Sequence, residues 1–127
     1  MIQTLLQVAL GGALGASARY LAGVAIMRSA GPHEFPLGII SVNILGSFLM
    51  GALVVFLGQK ELTHWNALLA TGMLGGFTTF SSFSLETWRL MSSGRYDLAA
   101  LYVGLSVFAS ILALMVGVWL MRAVLAL

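Results

Sequence analysis

The chain contains no cysteine, only two prolines, and only 8% charged residues among its 127. Without cysteine there are no disulfides, no thiolate metal sites and no cysteine nucleophile. Soluble domains are about 25% charged, so a chain this poor in charge could not cover a water-facing surface. An ordinary soluble enzyme is excluded. The six Lys and Arg stand against four Asp and Glu, scattered singly. No basic patch exists to follow nucleic-acid phosphates, so nucleic acid is not a partner. What remains is apolar: 60% of residues are hydrophobic and mean hydropathy is +1.01. These values define an integral membrane protein, short enough to form one domain over residues 1–127.

The few charges mark the ends of four uncharged stretches: Ile2–Ala18, Phe35–Gln59, Leu62–Leu85 and Leu98–Met121. A spanning helix needs about 20 apolar residues, and about 17 suffice. The first stretch can continue past Arg19 and Tyr20 to Met27. The linkers Arg28–Pro36, Gln59–His64 and Ser92–Asp97 are short and polar. Pro32 and Pro36 separate the first two helices, because proline lacks the donor that a helix interior requires. The runs do not alternate as barrel strands do. The fold class is therefore all-α: four transmembrane helices in the lipid bilayer, joined by tight hairpins. Ala16-Ser17-Ala18 resembles a signal cleavage site, but no basic residue precedes the apolar run, and cleavage is not expected.

With four spans, the termini and the second linker share one side. Lys60 and Arg122 lie there, while Arg28 and Arg95 lie opposite, with Arg89 close by. Cytoplasmic loops normally carry a clear excess of Lys and Arg. This near balance has two readings, a noisy charge count or insertion in both orientations, and four helices alone leave little interior for a pathway. Glycines concentrate within the helices. Gly11/Gly15 and Gly72/Gly76 have the spacing that lets helix backbones approach closely in lipid, and packing is the favoured role of Gly11, Gly12, Gly15, Gly46 and Gly51.

The third stretch differs. Gly72, Gly75 and Gly76 precede the adjacent threonines Thr78 and Thr79, which makes poor helix at mid-membrane. A break there frees backbone groups that only protein, water or an ion can satisfy, and broken helices recur at ion sites. Five hydroxyls then interleave with Phe77, Phe80 and Phe83. Ser81 and Ser84 share a helix face, as do Phe80 and Phe83. Either the hydroxyls bond back to their own helix and the rings face lipid, or the segment lines a polar pathway. Asn43, alone in an apolar span, needs partners, as interhelical glue or as a pathway group. Arg19 and Glu86 either pair with each other or serve a cavity. No metal-ligand cluster and no nucleophile–base pair is visible, so catalysis is not indicated.

Three motifs in order carry a resemblance: Gly11-Gly12-Ala13-Leu14-Gly15-Ala16-Ser17-Ala18-Arg19-Tyr20, Val42-Asn43-Ile44-Leu45-Gly46-Ser47-Phe48, and Gly75-Gly76-Phe77-Thr78-Thr79-Phe80-Ser81-Ser82-Phe83-Ser84-Leu85-Glu86. Over essentially its whole length the chain resembles the CrcB, or Fluc, family of bacterial fluoride channels. The resemblance implies a passive fluoride exporter of the inner membrane that protects the cell from fluoride, built as an antiparallel dual-topology homodimer with two pores. It assigns Phe80 and Phe83 to the fluoride path, Asn43 as an amide donor, and Ser81, Ser82 and Ser84 to a polar track. The carbonyls of Gly75 and Thr78 would hold a structural Na+ at the dimer centre, and Arg19 and Glu86 would sit near the vestibules. The chain departs from the family pattern at Ile39, where threonine is common, and at Ser82, which keeps the usual threonine's hydroxyl.

Physical chemistry agrees with this assignment. Phenylalanine edges carry partial positive charge and can approach an anion without trapping it, and conduction requires release as well as capture. No Lys or Arg lies between Arg28 and Lys60 or between Lys60 and Arg89. The alternative is a small dual-topology proton-coupled multidrug transporter. Such a protein needs an acid in its first helix, where this chain carries only Arg19.

Overall fold

The computed structural model describes residues Met1–Leu127. Helix α1 spans Ile2–Ala30 and α2 spans Leu37–Gln59. The third span, Thr63–Ser92, is built in pieces: a 3-10 turn at Thr63–Trp65, a π-helical stretch at Ala67–Leu74, one α turn (α3, Gly75–Phe77) and helix α4 at Phe80–Ser92. Helix α5 spans Tyr96–Leu125. All four spans are long and apolar enough to cross a membrane. The 29 residues of α1 extend about 43 Å at 1.5 Å per residue, against a hydrocarbon layer of about 30 Å. That surplus lets α1 run through Arg19 and carry Arg28 to its end, so the helices outreach the uncharged runs.

The helices pack in two pairs, α2 along α5 and α1 along the π stretch and α3. Glycine permits both contacts. A β-carbon on Gly15 would lie 2.0 Å from the Met73 carbonyl oxygen, and one on Gly51 would lie 2.1 Å from that of Leu114. In lipid, where apolar side chains gain nothing by leaving solvent, such backbone proximity is the main source of helix–helix attraction.

The third span breaks as expected, but not at its glycines. Gly75 and Gly76 remain helical, and the chain turns extended at Thr78 (φ −91°, ψ 158°) and Thr79 (φ −152°, ψ 119°). The glycines serve packing instead: a β-carbon on Gly76 would fall 2.8 Å from the Gly12 carbonyl oxygen. Extended backbone suits β-branched threonine, so the two threonines take the break.

Only 14 of the 127 residues are buried, which leaves most of the apolar surface to lipid or a partner. The one compact cluster, Ile40, Leu90, Ala99 and Tyr102, lies near the end that carries the first and third linkers, with Phe35 and Phe83 packed against it. At that end Arg95 pairs with Glu34 and Asp97. These carboxylates, Asp97 foremost, raise the Arg95 guanidinium above its ordinary range.

Candidate functional site

The break is closed from the side by Asn43 of α2. Its Oδ1 accepts the Thr79 N–H at 2.8 Å, and its Nδ2 donates to the Thr79 carbonyl at 3.0 Å. Because a backbone N–H can only donate, this pairing sets which way the amide points. One amide hydrogen remains for another acceptor. Gly46, one turn along α2, makes room for the break: a β-carbon there would meet the Thr78 methyl at 2.3 Å.

Helix α4 restarts on a side-chain cap, with Thr79 Oγ1 accepting the Ser82 N–H at 3.1 Å. A threonine at this position satisfies one of the donors that every helix start leaves unpaired. The Thr78 hydroxyl donates to the Leu74 carbonyl. The Thr78 carbonyl, between two helices, accepts no hydrogen bond within the subunit.

Beside the break lies a groove of about 350 Å³ lined by Asn43, Ser47, Thr78, Thr79, Phe80, Phe83, Ser106, Val107, Ser110 and Ile111. Every polar group in it is an uncharged amide or hydroxyl. The Phe80 and Phe83 rings lie 5.4 Å apart and Phe83 lies 5.3 Å from Tyr102. Tyr102 is completely buried, and its hydroxyl, like that of buried Ser106, has no partner in the subunit.

Of the residues that the sequence singles out, Asn43, Phe80 and Phe83 line this groove. Ser81, Ser82 and Ser84 lie outside the groove. Ser84 bonds back to the Phe80 carbonyl at 3.1 Å, and Ser81 reaches the Thr79 hydroxyl at 3.3 Å. The hydroxyl-bearing residues that line the groove are Ser47, Thr78, Thr79, Ser106 and Ser110. Tyr102, Ser106 and Ser110 recur every four residues along α5, a one-face stripe visible in the sequence and missed there.

A second cavity, about 530 Å³, lies toward the first linker and is lined by Arg19, His33, Glu34, Phe35, Glu86 and Arg89 among others. Arg19 and Glu86 share it without pairing. Arg19 Nε donates to the Gly76 carbonyl at 3.1 Å, and Glu86 pairs with Arg89 three residues on. Arg19 therefore braces the turn that precedes the break while its charge faces the cavity.

Four membrane-length helices, one of them broken beside an uncharged polar groove, define a polytopic membrane protein. Its family follows from comparison with known proteins. The family described as "CrcB-like protein, Camphor Resistance (CrcB)" matches residues 6–118. The chain is 57% identical over 125 residues to the "Fluoride-specific ion channel FluC" of Ruegeria sp. (strain TM1040), covering 98% of this chain and 99% of that protein. It is 58% identical over 122 residues to the protein of that name from Cereibacter sphaeroides, covering 96% and 97%. The Caulobacter vibrioides protein of that name is 47% identical over 125 residues, covering 96% and 98%. The chain belongs to the CrcB-like family.

Proposed function

We propose that this chain is a fluoride-specific ion channel, not an enzyme, that lets fluoride leave the cell passively. It is a multi-pass membrane protein, which in bacteria places it in the inner membrane. The observation that carries the reading is the groove, where the Phe80 and Phe83 rings face hydroxyl and amide donors with no full charge among them. Weak partners in number can replace the hydration of a small anion while a fixed cation would hold it. Fluoride efflux from loaded liposomes, read with an ion-selective electrode, tests this directly, and vesicles that retain their fluoride would overturn it. A proton-coupled drug transporter gains no support, since α1 carries Arg19 and no acid.

In this reading Asn43, Phe80 and Phe83 line the path, Ser81, Ser82 and Ser84 continue it along α4, and Arg19 and Glu86 serve the vestibule. The whole chain acts as one domain. The path is completed by a second copy in an antiparallel homodimer. Phe80 is 77% exposed in the single subunit, and Thr71, Gly75, Ser81 and Ser84 are exposed along the same span. A polar face left against lipid is costly, so a second copy is the fitting cover. The even split of Lys60 and Arg122 against Arg28 and Arg95 favours both orientations. In the cysteine-free chain, His33→Cys and His64→Cys should each be about half accessible to an impermeant thiol label, as the near-equal charge count implies. Complete labelling of one site from one side would exclude the antiparallel arrangement.

The donors at the break also fit a structural Na+. The free Thr78 carbonyl and the exposed Gly75 offer hard oxygens without a carboxylate, a set suited to a hard monovalent cation. The Gly75 and Thr78 carbonyls of two copies would hold it, adding fixed positive charge near the path. Replacing external sodium with a large organic cation should leave flux unchanged at first, while prolonged removal lowers activity or dimer stability. A sodium requirement tracking fluoride turnover one for one would make the protein a symporter.

A further inference from the structure

Phe83 faces the groove on one side and leans on Tyr102 on the other. What holds Tyr102 therefore decides where the Phe83 edge points. Its hydroxyl makes no hydrogen bond within the subunit, so no polar anchor fixes the ring. The remaining aromatic contact is Phe35, whose ring stands perpendicular to Tyr102 at a centroid distance of 5.5 Å. Perpendicular pairs at this distance are the favoured geometry of neighbouring rings. Phe35 belongs to the linker between α1 and α2, lines the second cavity and does not line the groove. A ladder of rings, Phe35–Tyr102–Phe83–Phe80, thus joins the two cavities across the body of the subunit.

We propose that Phe35 is a positioning residue for conduction: from outside the groove its ring fixes Tyr102, and through Tyr102 it fixes the Phe83 edge that faces the ion. The neighbouring Glu34–Arg95 pair contributes little to this, because both side chains are about half exposed (56% and 40%) and exposed ion pairs are weak. Packing of the Phe35 ring sets the geometry. The role rests on the channel reading and adds to it a residue remote from the path.

The test is fluoride efflux per mole of folded protein in liposomes, with folding checked by size exclusion in detergent. Phe35→Leu removes the ring from one end of the ladder and should slow efflux about fivefold, the scale of a lost aromatic pair. Phe35→Tyr keeps the ring and should restore efflux to within about twofold of wild type. Leu57→Val, buried in α2 but outside the cluster around Tyr102, perturbs packing alone and should leave efflux unchanged. In a Tyr102→Leu background, Phe35→Leu should have no further effect, since the intermediary is gone. If Phe35→Leu fails to fold, Phe35→Met takes its place under the same criteria. Wild-type efflux from the ringless variant, or equal slowing in Leu57→Val, would overturn the role while leaving the channel reading intact. Wild-type protein that passes no fluoride would remove both.

Discussion

Asn43→Ala should destabilise the folded protein by about 2–4 kcal/mol, because it orphans two backbone groups at once, each worth roughly 1–2 kcal/mol when left unpaired. The Thr79 N–H and carbonyl both end on the Asn43 amide. At Thr79 the chain is extended and can offer them no helical partner. Hydrogen bonds between membrane helices average only about 0.6 kcal/mol, because the separated helices find other partners. A broken helix has fewer alternatives, so the upper part of the range applies here. Asn43→Asp should rescue poorly: a carboxylate can still accept from the Thr79 N–H but has no donor for the Thr79 carbonyl. Equilibrium unfolding in mixed micelles measures both variants. Stability equal to wild type in Asn43→Ala would mean that the break holds itself open.

This clamp marks where the sequence stops being readable. The four spans are legible because each is an uncharged run of membrane length, a property of composition that needs no knowledge of neighbours. The need for a break in the third span is legible from Gly72, Gly75, Gly76, Thr78 and Thr79 on propensity alone. Its position is not, since propensity ranks glycine below threonine in a helix, whereas close contact with α1 keeps the glycines helical. Gly76 is retained because its missing β-carbon is what the Gly12 carbonyl needs.

Polar partners are the other unreadable layer. Asn43 is recognisable as needing a partner, yet nothing along the chain points to Thr79, 36 residues away. Arg19 and Glu86 invite pairing as opposite charges in an apolar sequence. The fold instead offers Arg19 the Gly76 carbonyl, 57 residues away, and gives Glu86 a nearer cation in Arg89. The serines divide on the same principle. Ser81 and Ser84 stand out because they cluster, while Ser106 and Ser110 are spread thinly along α5. Clustering is a property of the sequence, whereas facing the groove depends on which side of each helix meets its neighbours.

Phe80→Ile and Phe83→Ile should each reduce fluoride efflux by more than tenfold while the protein still folds. Both rings line the groove, and their edges are the only partially positive apolar surface in it. An isoleucine fills similar space without a quadrupole. A tenfold loss corresponds to only about 1.4 kcal/mol of barrier, a modest demand on a direct contact between a ring edge and an ion that has given up water. Phe83 is held between Tyr102 and Phe80, so its replacement also loosens the ladder and should have the larger effect. Phe108 supplies the control. It is 75% exposed in the subunit, against 77% for Phe80, and carries the same ring in a membrane helix, yet it lies outside the groove. Phe108→Ile should leave efflux within about twofold of wild type, because exchanging one apolar side chain for another facing lipid changes little. If all three variants conduct at the wild-type rate, Phe80 and Phe83 face lipid as Phe108 does, and the path must be sought elsewhere in the subunit.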